Sequence, residues 1–120
     1  MSDLCKTTKM DQVTALSELR ATIVTRRDGF HRQGANGSFS RYVVKSGNQY
    51  LVHVCSECVE FAGIGSPILV DGTLASRVAS LHAGTEVFTE VEYAILRRDS
   101  CNELIAMLSE QINLLTAQAE

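Results

Sequence analysis

Apolar residues recur at intervals of three and four between Lys9 and Thr25, where Val13, Leu16, Leu19 and Ile23 share one helical face. The pattern predicts a first helix, with Asp11 near its start and Arg26-Arg27 at its end, as suits the helix dipole. Asp28-Gly29 is expected to stop it. Ahead of it, residues 1–8 are polar and read as a disordered tail. Behind it, Phe30 to Ser38 carries Gly34, Asn36 and Gly37 without a period of its own and reads as a mobile loop.

The β signal follows. Phe39–Lys45 and Gln49–Cys55 are rich in valine and tyrosine and flank Ser46-Gly47-Asn48, which predicts a hairpin. Tyr50, Val52 and Val54 fall on one face of the second arm, and Leu51, His53 and Cys55 on the other. Both faces are substantially apolar, so this strand is expected to be central. Cys58–Ala62 reads as a third strand, ended by Gly63-Ile64-Gly65-Ser66-Pro67. Ile68-Leu69-Val70 is a short apolar run that can rejoin the sheet.

Asp71-Gly72-Thr73 combines turn chemistry with an N-cap. The helix it opens is expected to turn Leu74, Val78 and Leu81 inward and to end at Gly84. Thr85 to Arg98 alternates, with Val87, Val91, Tyr93 and Ile95 opposed to Glu86, Glu90 and Glu92, and predicts a long half-buried strand. In the last helix Ser100 and Glu103 form a capping-box pair. Cys101, Leu104, Leu108 and Leu115 make its seam, widened by Ile105 and Ile112 and interrupted by Gln111 and Gln118. Met107 and Leu114 lie off that seam, a surplus of apolar surface that predicts a homodimer through the C-terminal helix.

These elements give an α+β fold: a mainly antiparallel sheet of four to five strands with three helices, in the order α-β-β-(β)-α-β-α, as one domain over 1–120. An apolar fraction of 45% against 21% charged residues is ordinary for a globular chain and argues against disorder. No apolar run reaches the roughly 20 residues of a membrane span, and the polar start does not resemble a signal peptide. A cytoplasmic location with reduced thiols is the resulting expectation.

Charge divides the chain. Residues 1–50 hold eight basic and four acidic side chains, a net of +4, and residues 51–120 hold three and ten, a net of −7. Arg20, Arg26, Arg27, Arg32, Arg41 and Lys45, with His31 among them, can hold phosphates if the glycine-containing loop folds around a ligand. Phe30, Phe39 and Tyr42 are interleaved as stacking candidates. Solvated charges on a helix end and a hairpin account for the same residues. Glu86, Glu90 and Glu92, with Glu57 and Glu60 if nearby, form an acidic row. Such a row suits a solvated face or a docking surface for a basic partner better than paired-carboxylate catalysis, which needs burial.

Cys55-Ser56-Glu57-Cys58 is the one motif with metal-ligand spacing, and His53 adds a third donor. A structural zinc ion wants four ligands, and no second Cys-x-x-Cys exists to supply the rest. If residues 55–58 continue a strand, the two thiols face opposite sides and cannot share a metal. Ordinary buried cysteines are therefore the expectation, and the metal site of Cys55, Cys58 and His53 the alternative. Gly63-Ile64-Gly65-Ser66 is followed by Pro67 and opens no helix, so it reads as a turn and not as a phosphate loop. No nucleophile accompanies His31, His53 or His82 in a recognisable context.

The function these readings predict is a non-catalytic protein-interaction module: a small regulator, inhibitor or chaperone-like adaptor acting on another protein as a homodimer, without cofactor or membrane. The alternative is binding of nucleic acid, a nucleotide or another phosphorylated ligand through Arg20–Lys45.

Overall fold

The structure is a computed structural model and describes residues 2–63 and 66–119. Its elements are α1 (Ser2–Asn36), β1 (Tyr42–Ser46), β2 (Gln49–Val54), β3 (Val59–Ala62), α2 (Gly72–Leu81), β4 (Thr85–Thr89) and α3 (Glu90–Ala119). Three helices and a four-stranded antiparallel sheet, ordered β3-β2-β1-β4, make the α+β class that the residue pattern predicts. Two compact units divide the chain: Arg32–Ile95, and Met1–His31 with Leu96–Glu120.

The first unit holds the sheet and α2. Its founding hairpin turns at Gly47-Asn48, between the paired Ser46 and Gln49. Gly47 has φ +59, a left-handed conformation that glycine adopts without a Cβ penalty, and Asn48 has none. Positive φ at the first central residue alone is the type II′ pattern, whose twist matches the flanking strands. β1 and β2 are both interior strands, so the centrality expected for Gln49–Cys55 holds for β2.

The core of this unit is Val44, Leu51, Val70, Ala75 and Val78, with Tyr42, Phe61 and Leu74 packed against it. Fully burying a side chain of this size contributes about 1.5–3 kcal/mol, which makes Leu51 and Val44 the main apolar anchors. The run Ile68-Leu69-Val70 does rejoin the sheet, through an antiparallel bridge between Val70 and Tyr42 and an Ile68 N–H that donates to Leu51 O at 3.0 Å. Of the expected turn at 63–67, Ile64 and Gly65 lie outside the described residues. α2 is capped by Asp71, whose carboxylate accepts the Leu74 N–H at 2.8 Å. Leu81, expected inward, is 69% exposed, because Ala75 and Val78 already face the sheet and Leu81 is the last residue of the helix.

The second unit is helical. Leu16, Ile23 and Phe30 repeat every seven residues along α1 and meet Cys101, Ile105 and Leu108 of α3. Arg20 donates to Ser109 Oγ at 3.0 Å and Arg27 to Asn102 Oδ1 at 3.2 Å, so the two helices run antiparallel. The Arg97 guanidinium lies 5.4 Å from the centroid of the Phe30 ring, a cation–π contact. Leu19, expected on the buried face, is exposed, as is Leu104 of the expected α3 seam.

Three expectations need correction. α1 opens at Ser2 and not near Lys9; Met1 of the expected tail lies outside the described residues. The mobile loop at Phe30–Ser38 is helical as far as Asn36. The long strand over Thr85–Arg98 stops at Thr89, and α3 begins at Glu90, ten residues before Ser100. Thr89 explains the last point. Its Oγ1 accepts the Glu92 N–H at 3.1 Å while Glu92 Oε1 accepts the Thr89 N–H at 3.2 Å, a reciprocal capping box.

Candidate functional site

The basic residues are not gathered in a loop. Arg26, Arg27, His31 and Arg32 all lie on α1, where each residue turns the direction by about 100°. Arg26, Arg27 and Arg32 therefore point some 100–140° apart around the axis and share no face. Arg27 is engaged by Asp28 at 3.0 Å. Arg41 is exposed just ahead of β1.

The acidic row is also broken up. Glu86 is exposed on β4, whereas Glu90 and Glu92 belong to the first turn of α3 and no longer alternate with it. Glu92 is occupied in the capping box. Glu90 accepts the Ser38 N–H at 2.8 Å and Gln33 Nε2 at 3.1 Å. Two of the three carboxylates thus hold the fold together.

The cysteines change most. Residues 55–58 do not extend the strand; they form the turn between β2 and β3, closed by the Cys55 N–H donating to Cys58 O at 2.9 Å. A turn reverses the chain, so the two side chains converge where a strand would have separated them. Their sulfurs are 2.8 Å apart, and the Cys58 N–H donates to Cys55 Sγ at 3.2 Å. Both cysteines are exposed, which overturns the expectation of buried thiols, whereas Cys101 is buried.

His53 joins them. The β2–β3 register slips by one residue between Leu51 and His53, a bulge that lies next to the turn. The donor atoms of His53, Cys55 and Cys58 all lie within 4.8 Å of one another. The cluster borders a depression of about 400 Å³, which Glu57, Arg77, Leu81 and His82 also line. His82 stacks edge-on against Phe61, with ring centroids 5.9 Å apart.

Electrostatics separates the two thiols. The Cys58 S–H and the backbone N–H groups of the turn stabilise a thiolate on Cys55, whose pKa falls to about 7. Cys58 moves the other way, because its proton is held by Cys55 and a second thiolate would stand beside the first.

A further surface was only half visible in the sequence. Leu104, Met107, Gln111, Leu114 and Gln118 are all exposed and follow one another at spacings of three and four along α3. They form a second row, on a different face from the buried Cys101, Leu108 and Ile112. Met107 is 66% and Leu114 51% exposed. Among the described residues no helix is long and apolar enough to cross a membrane.

No family, no curated protein and no solved structure matches this chain.

Proposed function

We propose that the protein is a non-catalytic protein-interaction module that pairs with a second copy of itself through the outer row of α3. The carrying observation is that row. Leu104, Met107 and Leu114 are large apolar side chains that face solvent at the 3,4 spacing of a helix–helix seam, and the row holds no charge.

A second copy is the occupant that fits best, because the row complements itself. Laid antiparallel about a two-fold axis near residue 109, it sets Leu104 against Leu114 of the partner subunit and Met107 against Gln111 of the partner subunit. Gln111 falls inside the seam, where a polar residue fixes register at some cost in affinity.

Native mass spectrometry and light scattering test this reading. The parent chain is expected as a dimer, and Met107→Glu with Leu114→Glu as a folded monomer, since both positions are exposed and their loss leaves the core intact. A parent chain that stays monomeric throughout a concentration series removes the proposal. The alternative of phosphate binding through Arg20–Lys45 gains no support from arginines spread around one helix.

A further inference from the structure

Independently of that surface, the tip of the β2–β3 hairpin has the parts of a metal site. We propose that His53, Cys55 and Cys58 bind one zinc-class divalent ion, with three protein ligands and solvent in the fourth position.

The donor set comes first. Two thiolates and an imidazole are the ligands that zinc and its soft neighbours select over magnesium or calcium, which take oxygen. Glu57 and Glu60 border the turn without replacing any of the three.

Geometry comes second. A tetrahedral ion with bonds of roughly 2.3 Å to sulfur holds its two sulfurs about 3.8 Å apart. The pair stands at 2.8 Å, and all three donors lie within 4.8 Å. A small side-chain rotation of each exposed cysteine opens the gap by the required ångström without moving the backbone. The turn is already closed by its own hydrogen bonds, and the Cys58 N–H already points at a sulfur, the kind of supporting contact that orients a ligand.

The surroundings come third. Glu57 and Glu60 bring negative charge to the turn, which favours a dication, while Arg77 across the depression opposes it. Two acidic groups and two thiolates outweigh one guanidinium. His82 lines the same depression but lies outside the convergent set and is held on Phe61, so the site has three protein ligands.

A dithiol that cycles with a disulfide is the competing use of such a motif. Redox pairs of this spacing sit at a helix N-terminus, where the dipole stabilises the attacking thiolate. Here the pair sits on a hairpin, with a third ligand converging on it. That combination favours a metal.

The experiment uses the full chain, reduced and stripped with a chelator, then titrated with zinc and separately with cobalt. Native mass spectrometry is expected to show one zinc per chain. Cobalt is expected to give the thiolate-to-metal charge-transfer band and the strong visible bands of a four-coordinate site. His53→Ala is expected to weaken zinc binding by at least about tenfold, and Cys55→Ser with Cys58→Ser to abolish it. Circular dichroism of each variant checks that the fold is retained. The proposal is overturned if the parent takes up no stoichiometric zinc. It is equally overturned if the double serine variant, still folded, binds zinc as the parent does, or if His53→Ala leaves affinity unchanged.

Discussion

Glu90 accepts the backbone N–H of Ser38 at 2.8 Å. The same carboxylate holds Gln33, and the Glu90 N–H donates to Arg41 O at 2.9 Å. One residue therefore ties the end of α1, the approach to β1 and the start of α3. Glu90→Ala orphans the Ser38 amide and is expected to destabilise the protein by about 1–3 kcal/mol in urea unfolding. Glu90→Gln keeps an acceptor oxygen and is expected to lose less. Equal losses would show that the charge, and not the hydrogen bond, is what matters.

Two glycines near this tie are expected to respond in opposite ways. A Cβ on Gly37 stands 2.5 Å from the Gln33 carbonyl oxygen and 3.1 Å from Glu90 Cγ, so Gly37→Ala forces the backbone to shift and costs about 1–3 kcal/mol. A Cβ on Gly34 meets Ile95 Cγ1 at 3.5 Å, an ordinary contact. Gly34 is helical, so Gly34→Ala is expected to stabilise by up to about 1 kcal/mol. Thermal melts of the two variants should move in opposite directions, and a destabilised Gly34→Ala would mean that the helix does not extend to Asn36.

Thiol reactivity of the metal-free chain should follow the asymmetry of its cysteine pair. Cys55 has a pKa of about 7, below that of an ordinary thiol, so its thiolate is populated at neutral pH and is lost as the pH falls below 7. Alkylation of Cys55, followed by peptide mass spectrometry, is expected to rise with a midpoint near that value. Cys58→Ala removes the S–H donor and should shift the midpoint upward. A midpoint that ignores Cys58 would show that the two sulfurs do not share a proton.

The start of α3 can be located by its caps. Thr89→Ala removes the acceptor for the Glu92 N–H and is expected to cost about 1 kcal/mol. Ser100 is exposed and its hydroxyl donates to Leu96 O within the helix, so Ser100→Ala should stay within about 0.5 kcal/mol of the parent. The reverse order would restore a helix that begins at Ser100.

That pair also shows how far the sequence could be read. Thr89-x-x-Glu92 and Ser100-x-x-Glu103 are equally good caps on paper, and the alternation from Thr85 to Arg98 favoured a strand between them. Yet Val91 and Ala94, both buried, also stand three apart, and Cys101, Leu108 and Ile112 continue the row. The helical period was present in the residues and was masked by glutamates at even positions. The hairpin at Gly47-Asn48 was legible because its turn chemistry is local. Helix over Phe30–Asn36 was not, because Gly34, Asn36 and Gly37 read locally as breakers while the residues Gly34 faces, Ala94 and Ile95, lie sixty residues away. The meeting of His53, Cys55 and Cys58 was hidden for a related reason. It depends on β2 pairing with β3, and a strand carried on through residues 55–58 turns one ligand pair into two unrelated thiols.

β4 ends at Thr89 and α3 begins at Glu90, so no residue of slack separates strand from helix. Most surface connections tolerate insertions and deletions, and length variation accumulates there. This junction should not. One residue added between Thr89 and Ala94 would turn Ala94 and Ile95 by about 100° away from Gly34 and carry a buried side chain into solvent. Diverging copies of this protein should keep the residue count across the step from β4 to α3.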